Sequence, residues 1–152
     1  MSIFRYKRII VGEFPNTTTL DFKYNFEIQT DRPTHLAEVD GFQYIFIPDT
    51  LVPNIPKQSD EIEFESVTLD PVLKSKIKQN SATVALIDSR FNEKLRAVYS
   101  LDDEQYFSRI GTGVALGMYV FQPGEEQSLI DFGKFVENLR TEKRAELSSI
   151  DL

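Results

Sequence analysis

Ser81-Ala82-Thr83-Val84-Ala85-Leu86-Ile87-Asp88-Ser89-Arg90-Phe91-Asn92-Glu93-Lys94-Leu95-Arg96-Ala97-Val98 decides how this chain is read. Val84, Ile87, Phe91, Leu95 and Val98 recur at steps of three or four, the spacing of one helical face. Asp88, Arg90, Glu93, Lys94 and Arg96 lie largely off that stripe. Ser81 stands where a helix needs an oxygen for its free amides. The rival reading is a β-hairpin pairing Thr83 to Ile87 with Leu95 to Tyr99. It is the weaker one, because it breaks a stripe that runs on without interruption.

Outward from this helix, the start signals repeat. Asp70 precedes Pro71, which loses nothing at the first helical position by lacking an N–H. Ser100-Leu101-Asp102-Asp103 approximates a capping box with a shortened acid. Glu125-Glu126 suits a further N-terminus after Pro123, with Leu129, Phe132, Phe135, Val136 and Leu139 as its stripe and Lys143-Arg144 near its end. The spacing predicts helices at about 71–79, 82–99, 102–112 and 124–146. Phe91 and Leu95 should pack on Phe132 and Val136. Val114 to Phe121 fits helix or strand equally, and Ser148 to Leu152 reads as a frayed tail.

Before residue 70 the period is two. Leu20, Phe22, Tyr24, Phe26 and Ile28 alternate with polar residues, the pattern of a strand with one wet face. Ile3 to Val11 reads as a strand. Leu36 to Val39 and Phe42 to Ile47 flank Asp40-Gly41, a two-residue hairpin signal. Pro48 to Ser59 reads as a connector, and Glu61 to Leu69 returns to alternation. The expected fold is α+β: a β-rich module of four or five antiparallel strands over 1–69, then a helical module over 70–152, with one shared core as the alternative arrangement.

The chain of 152 residues is large enough for a real core, and 12 Phe and 6 Tyr supply apolar area for it. Net charge is −7, which argues against a nucleic-acid partner. Residues 1–69 hold 6 basic and 11 acidic side chains, hence −5; residues 70–152 hold 11 and 13, hence −2. There is no Cys, no Trp and one His. No stretch reaches the ~20 apolar residues of a membrane span, so a soluble, cytoplasmic protein is expected.

Few chemistries have their parts here. His35 has neither a second His nor a Cys to make a zinc site, and is read as a structural or surface residue. Gly111, Gly113 and Gly117 follow a capped helix rather than a strand, so close helix packing or a hinge explains them better than phosphate binding. Asp102-Asp103-Glu104 is accounted for by the first turn of a helix. Glu61, Glu63 and Glu65 share one face of a strand; a solvated face is the simplest reading, and a docking stripe for a basic partner the sharper one. Met118, Tyr119 and Phe121 are candidate anchors for a protein contact. No catalytic, cofactor-binding or metal-binding residue is assigned.

Val67-Thr68-Leu69-Asp70-Pro71-Val72-Leu73 leads into Ile87-Asp88-Ser89-Arg90-Phe91-Asn92-Glu93-Lys94-Leu95-Arg96-Ala97-Val98-Tyr99-Ser100-Leu101-Asp102-Asp103-Glu104, and Phe132-Gly133-Lys134-Phe135-Val136-Glu137-Asn138-Leu139-Arg140 follows. Over about residues 67–147 this resembles small phage and prophage proteins encoded near tail and tail-fibre genes. Thr141-Glu142-Lys143 stands where that pattern has Trp-Gly, and the Gly111 to Gly117 segment lengthens a connection. The resemblance implies a non-enzymatic virion or assembly component without a cofactor. Its partners would be virion or tail proteins, or a second subunit, in the producing cell and then the particle. The competing expectations are an acidic protein-binding inhibitor or regulator and, third, a small ligand-binding protein or enzyme.

Overall fold

The computed structural model describes residues 2–7, 10–11, 14–15, 20, 32–57 and 62–152. It is α+β, with an antiparallel sheet first and four helices after it. The strands are β1 (Ser2–Lys7), β2 (Ile10–Val11), β3 (Phe14–Pro15), β4 (Thr34–Val39), β5 (Phe42–Ile47) and β6 (Glu65–Val67); the helices are α1 (Pro71–Asn80), α2 (Ala82–Arg96), α3 (Leu101–Ala115) and α4 (Glu125–Ser149). Strand content ends near residue 70, but compactness divides the chain differently. One unit is 1–86 with 147–152, the other 87–146.

In the first unit the sheet order is β4-β5-β1-β6, and β2 pairs separately with β3. Asp40 and Gly41 both take positive φ, 53° and 79°, as the tight β4–β5 hairpin requires. Central β5 is buried from Gln43 to Ile47, because one face meets Phe4 and Leu51 while the other carries Phe46 opposite Ile3. The segment read as a plain connector holds a 3-10 helix, Asp49–Lys57, which brings Leu51, Val52 and Ile55 onto that core. The alternating run Leu20 to Ile28 lies outside the described residues beyond Leu20, which joins the same cluster.

Asp70 caps α1, its Oδ1 accepting from Leu73 N at 2.8 Å. Buried Ser81 ends α1 and opens α2, its Oγ accepting from Val84 N at 3.2 Å. Helix α1 packs on β4, with Ile77 fully buried. The expected frayed tail is corrected: α4 continues to Ser149, and Ile150 and Leu152 are buried. Leu152 N donates to Leu147 O at 2.9 Å and Asp151 N to Ser148 O at 3.2 Å, with Asp151 at φ 62°. These paired bonds close the helix as a Schellman motif and keep the segment ordered.

The second unit is a helical hairpin. Arg90–Glu146, Lys94–Glu142 and Asp88–Lys143 are ion pairs at 3.0, 2.6 and 2.6 Å, so α2 and α4 run antiparallel. Phe107 of α3 stacks on Phe132 at 4.9 Å between ring centroids, and Gly111 faces Leu129. Helices α2 and α3 therefore follow one another along α4, whose 25 residues span about 37 Å. Tyr99 fills the junction, edge-on to Phe107, Phe132 and Phe135. Two expectations are corrected. The α2 helix stops at Arg96, leaving Val98 exposed rather than in the stripe. Phe91 lies beside Leu139 and Lys143, because the antiparallel register puts Phe132 level with Tyr99.

Candidate functional site

The turn between α3 and α4 is built by three glycine-dependent features. The α3 helix ends in a Schellman motif: Met118 N donates to Gly113 O at 2.8 Å and Gly117 N to Val114 O at 3.0 Å, with Gly117 at φ 69°. Gly113 lies so close to Tyr119 that an added Cβ would sit 2.9 Å from the Tyr119 Cβ. Gly124, at φ 88°, precedes α4 and accepts from Ser128 N at 3.1 Å. The Gly111 to Gly117 run thus serves helix packing and termination.

One carboxylate ties the turn together. Glu125, at the start of α4, accepts from the Tyr106 hydroxyl, from the Tyr119 hydroxyl at 2.8 Å and from Gln122 N at 2.6 Å. These donors, Tyr106 first, hold the Glu125 carboxyl below the usual glutamate range. The helix N-terminus favours the same ionised form. Reciprocally, the bond to Glu125 pushes the Tyr106 phenol up to about 12 and raises that of Tyr119. Two phenols that stay protonated and a carboxylate that stays ionised form a structural clamp.

The clamp decides which side chains face out. Tyr119 and Phe121 are half-buried, whereas Leu116, Met118 and Val120 are 65%, 82% and 82% exposed. Of the three expected anchors, Met118 is the one presented to solvent. Tyr119 holds the turn, and Phe121 turns partly inward. Val120 and Leu116 went unnoticed in the sequence because the in–out alternation depends on the Glu125 bonds, which span α3, the turn and α4.

The acidic candidates lie elsewhere. Glu61 is outside the described residues. Glu63 is exposed, and Glu65 is bound to Arg5 at 2.6 Å within the sheet. The Arg5 guanidinium also lies over the Phe42 ring at 4.4 Å. His35 Nε2 donates to Gln43 Oε1 at 2.6 Å, and Gln43 Nε2 donates to Glu38 at 2.5 Å. Buried Gln43 needs both partners, since an unpaired buried amide is costly.

Among the described residues, no group of three or more His, Cys, Asp or Glu side chains is placed to hold a metal, and no helix is long and apolar enough to cross a membrane. Set against protein-family models, curated proteins and solved structures, the chain finds no match.

Proposed function

We propose that this is a non-enzymatic structural or assembly protein that works through contacts with other proteins, of the phage tail-associated kind that residues 67–147 resemble. The α3–α4 turn is its docking surface. The observation that carries this reading is the row Leu116, Met118 and Val120, exposed on a turn that the Tyr106–Glu125–Tyr119 clamp holds in one shape. A preorganised apolar turn loses little conformational entropy on binding. Glu125, Glu126 and Asp131 follow the turn in sequence with Lys134 as the next base, so a partner with basic residues around an apolar face fits best.

The test replaces Met118 and Val120 together by Ser. The variant should melt like the parent and lose assembly, read as its absence by mass spectrometry from purified virions that contain the parent. Particles that lack the parent protein, or that take up the variant equally, would sink the reading. Tyr119→Ser is the contrasting variant, expected to loosen the turn itself.

A further inference from the structure

A second feature of the molecule lies in the sheet-bearing unit, far in sequence from the α3–α4 turn. Among the described residues, strand β6 stands at one end of the four-stranded sheet. Alongside it opens a cleft of about 320 Å³, lined by Ile3, Ser66, Val67, Thr68, Leu69, Lys74 and Asp151. That volume is at the lower end of small-molecule sites. Its wall is mixed in a specific way. Ile3, paired opposite Val67, and Leu69 supply the smaller, apolar part of the wall. Ser66 and Thr68 add hydroxyls. Lys74 brings an ammonium from α1 and Asp151 a carboxylate from the segment after α4.

Ion pairs are frequent in this protein, yet these two opposite charges line the same cleft without pairing, and neither has an ion-pair partner among the described residues. Asp151 is moreover held at φ 62°, a conformation that glycine would take at less cost. The turn that closes α4 sets this φ and so fixes where Asp151 joins the cleft wall.

We infer that this cleft binds a small zwitterion of amino-acid size. The ligand ammonium faces Asp151, its carboxylate faces Lys74 and the two hydroxyls, and an aliphatic body rests on Ile3, Val67 and Leu69. The inference is independent of the docking function. A ligand of this size in an open cleft binds with a Kd on the order of 1 mM.

The test is an NMR titration of the full chain with L-leucine, following the amides of Ser66 to Leu69. Saturable shifts are expected. N-acetyl-L-leucine, which lacks the ammonium, and L-leucine methyl ester, which lacks the carboxylate, should each bind at least about tenfold more weakly. Lys74→Gln and Asp151→Asn should weaken leucine binding to a similar degree with unchanged spectral dispersion, since Asn tolerates positive φ. No saturable shift with leucine would overturn the proposal. So would equal binding of leucine and both blocked analogues, or full binding by both variants.

Discussion

The sheet-bearing unit and the helical hairpin solve the same problem with different resources. In the first, strands distant in sequence converge: β1 pairs with β5 on one side and β6 on the other. Its central strand is covered on both faces, and Leu36, Ile47 and Ile77 are fully buried. In the second, α2 and α3 lie along α4, so each helix can bury only one stripe. Ile87, Leu95, Phe107, Ile110 and Leu139 are its buried apolar residues. The hairpin compensates with ring stacking around Tyr99 and Phe107, cross-helix ion pairs and carefully made helix ends. Exposed ion pairs add little energy, about 0–1 kcal/mol each. What these contribute is orientation, because they join α2 to α4 in antiparallel order. The lesson is that a thin core can be specified as sharply as a thick one while leaving more apolar surface for a partner.

The sharpest way to break this contrast is to truncate one core residue in each unit. Ile47→Ala should cost about 3–5 kcal/mol, because tight strands on both faces cannot collapse onto the cavity. Leu95→Ala should cost less, about 2–3 kcal/mol, since a two-layer hairpin can relax inward. Urea denaturation of both variants checks the order. A larger loss from Leu95→Ala would mean that the hairpin is the better-packed unit.

Next in size is a pair of glycine substitutions in the hairpin. Gly113→Ala should destabilise by about 1–3 kcal/mol, because its new methyl meets the Tyr119 Cβ. Gly133, inside α4 with open space around it, should behave oppositely. Gly133→Ala should stabilise by about 0.5–1 kcal/mol through helix propensity. Thermal melts of the two variants decide it, and equal effects would deny the close approach at Gly113 any special role.

The smallest expected effect is a pH dependence of the clamp. The Tyr106 phenol is raised in the folded chain, to about 12. Its contribution is therefore complete below the ordinary tyrosine value near 10 and is lost as pH rises toward 12. Glu125 is lowered, so its contribution is present above the ordinary glutamate range and is lost as acid protonates it below that range. Tyr106→Phe should remove the alkaline step, visible as phenolate absorbance near 295 nm on the order of one tyrosine fewer at high pH. A lost component that titrates near the ordinary tyrosine value, and not toward 12, would mean that Tyr106 is not held by Glu125.

How much of this was legible beforehand follows the range of the interactions involved. Asp70, Ser81 and the Ser100–Asp103 capping box act over three residues, and each helix starts within a residue of where those signals put it. The Asp40-Gly41 turn is equally local. What escaped was nonlocal or depended on which way a short segment faces. The α2–α4 register, fixed by charges about 50 residues apart, put Lys143 rather than Phe132 over Phe91. The burial of Ile150 and Leu152 depends on a left-handed Asp151, which no local pattern announces. Val120 looked no different from Phe121 until Glu125 was seen to hold the turn. Proline-rich Asp49–Lys57 hid its 3-10 helix because proline spacing reads as loop.

Ser81 leaves a consequence for how this chain tolerates change in length. One buried residue is both the last contact of α1 and the cap of α2, so there is no slack between the two helices. Adding a residue there would advance everything after it by about 100° of helical phase, since a turn takes ~3.6 residues. Val84 would swing out of the interior and its exposed neighbours would swing in. In the α3–α4 turn the coupling runs through side chains instead, with Tyr119 and Gln122 N both bound to Glu125. Insertions and deletions that the protein survives should therefore avoid residues 80–82, a pattern that a library of single-residue insertions would display directly.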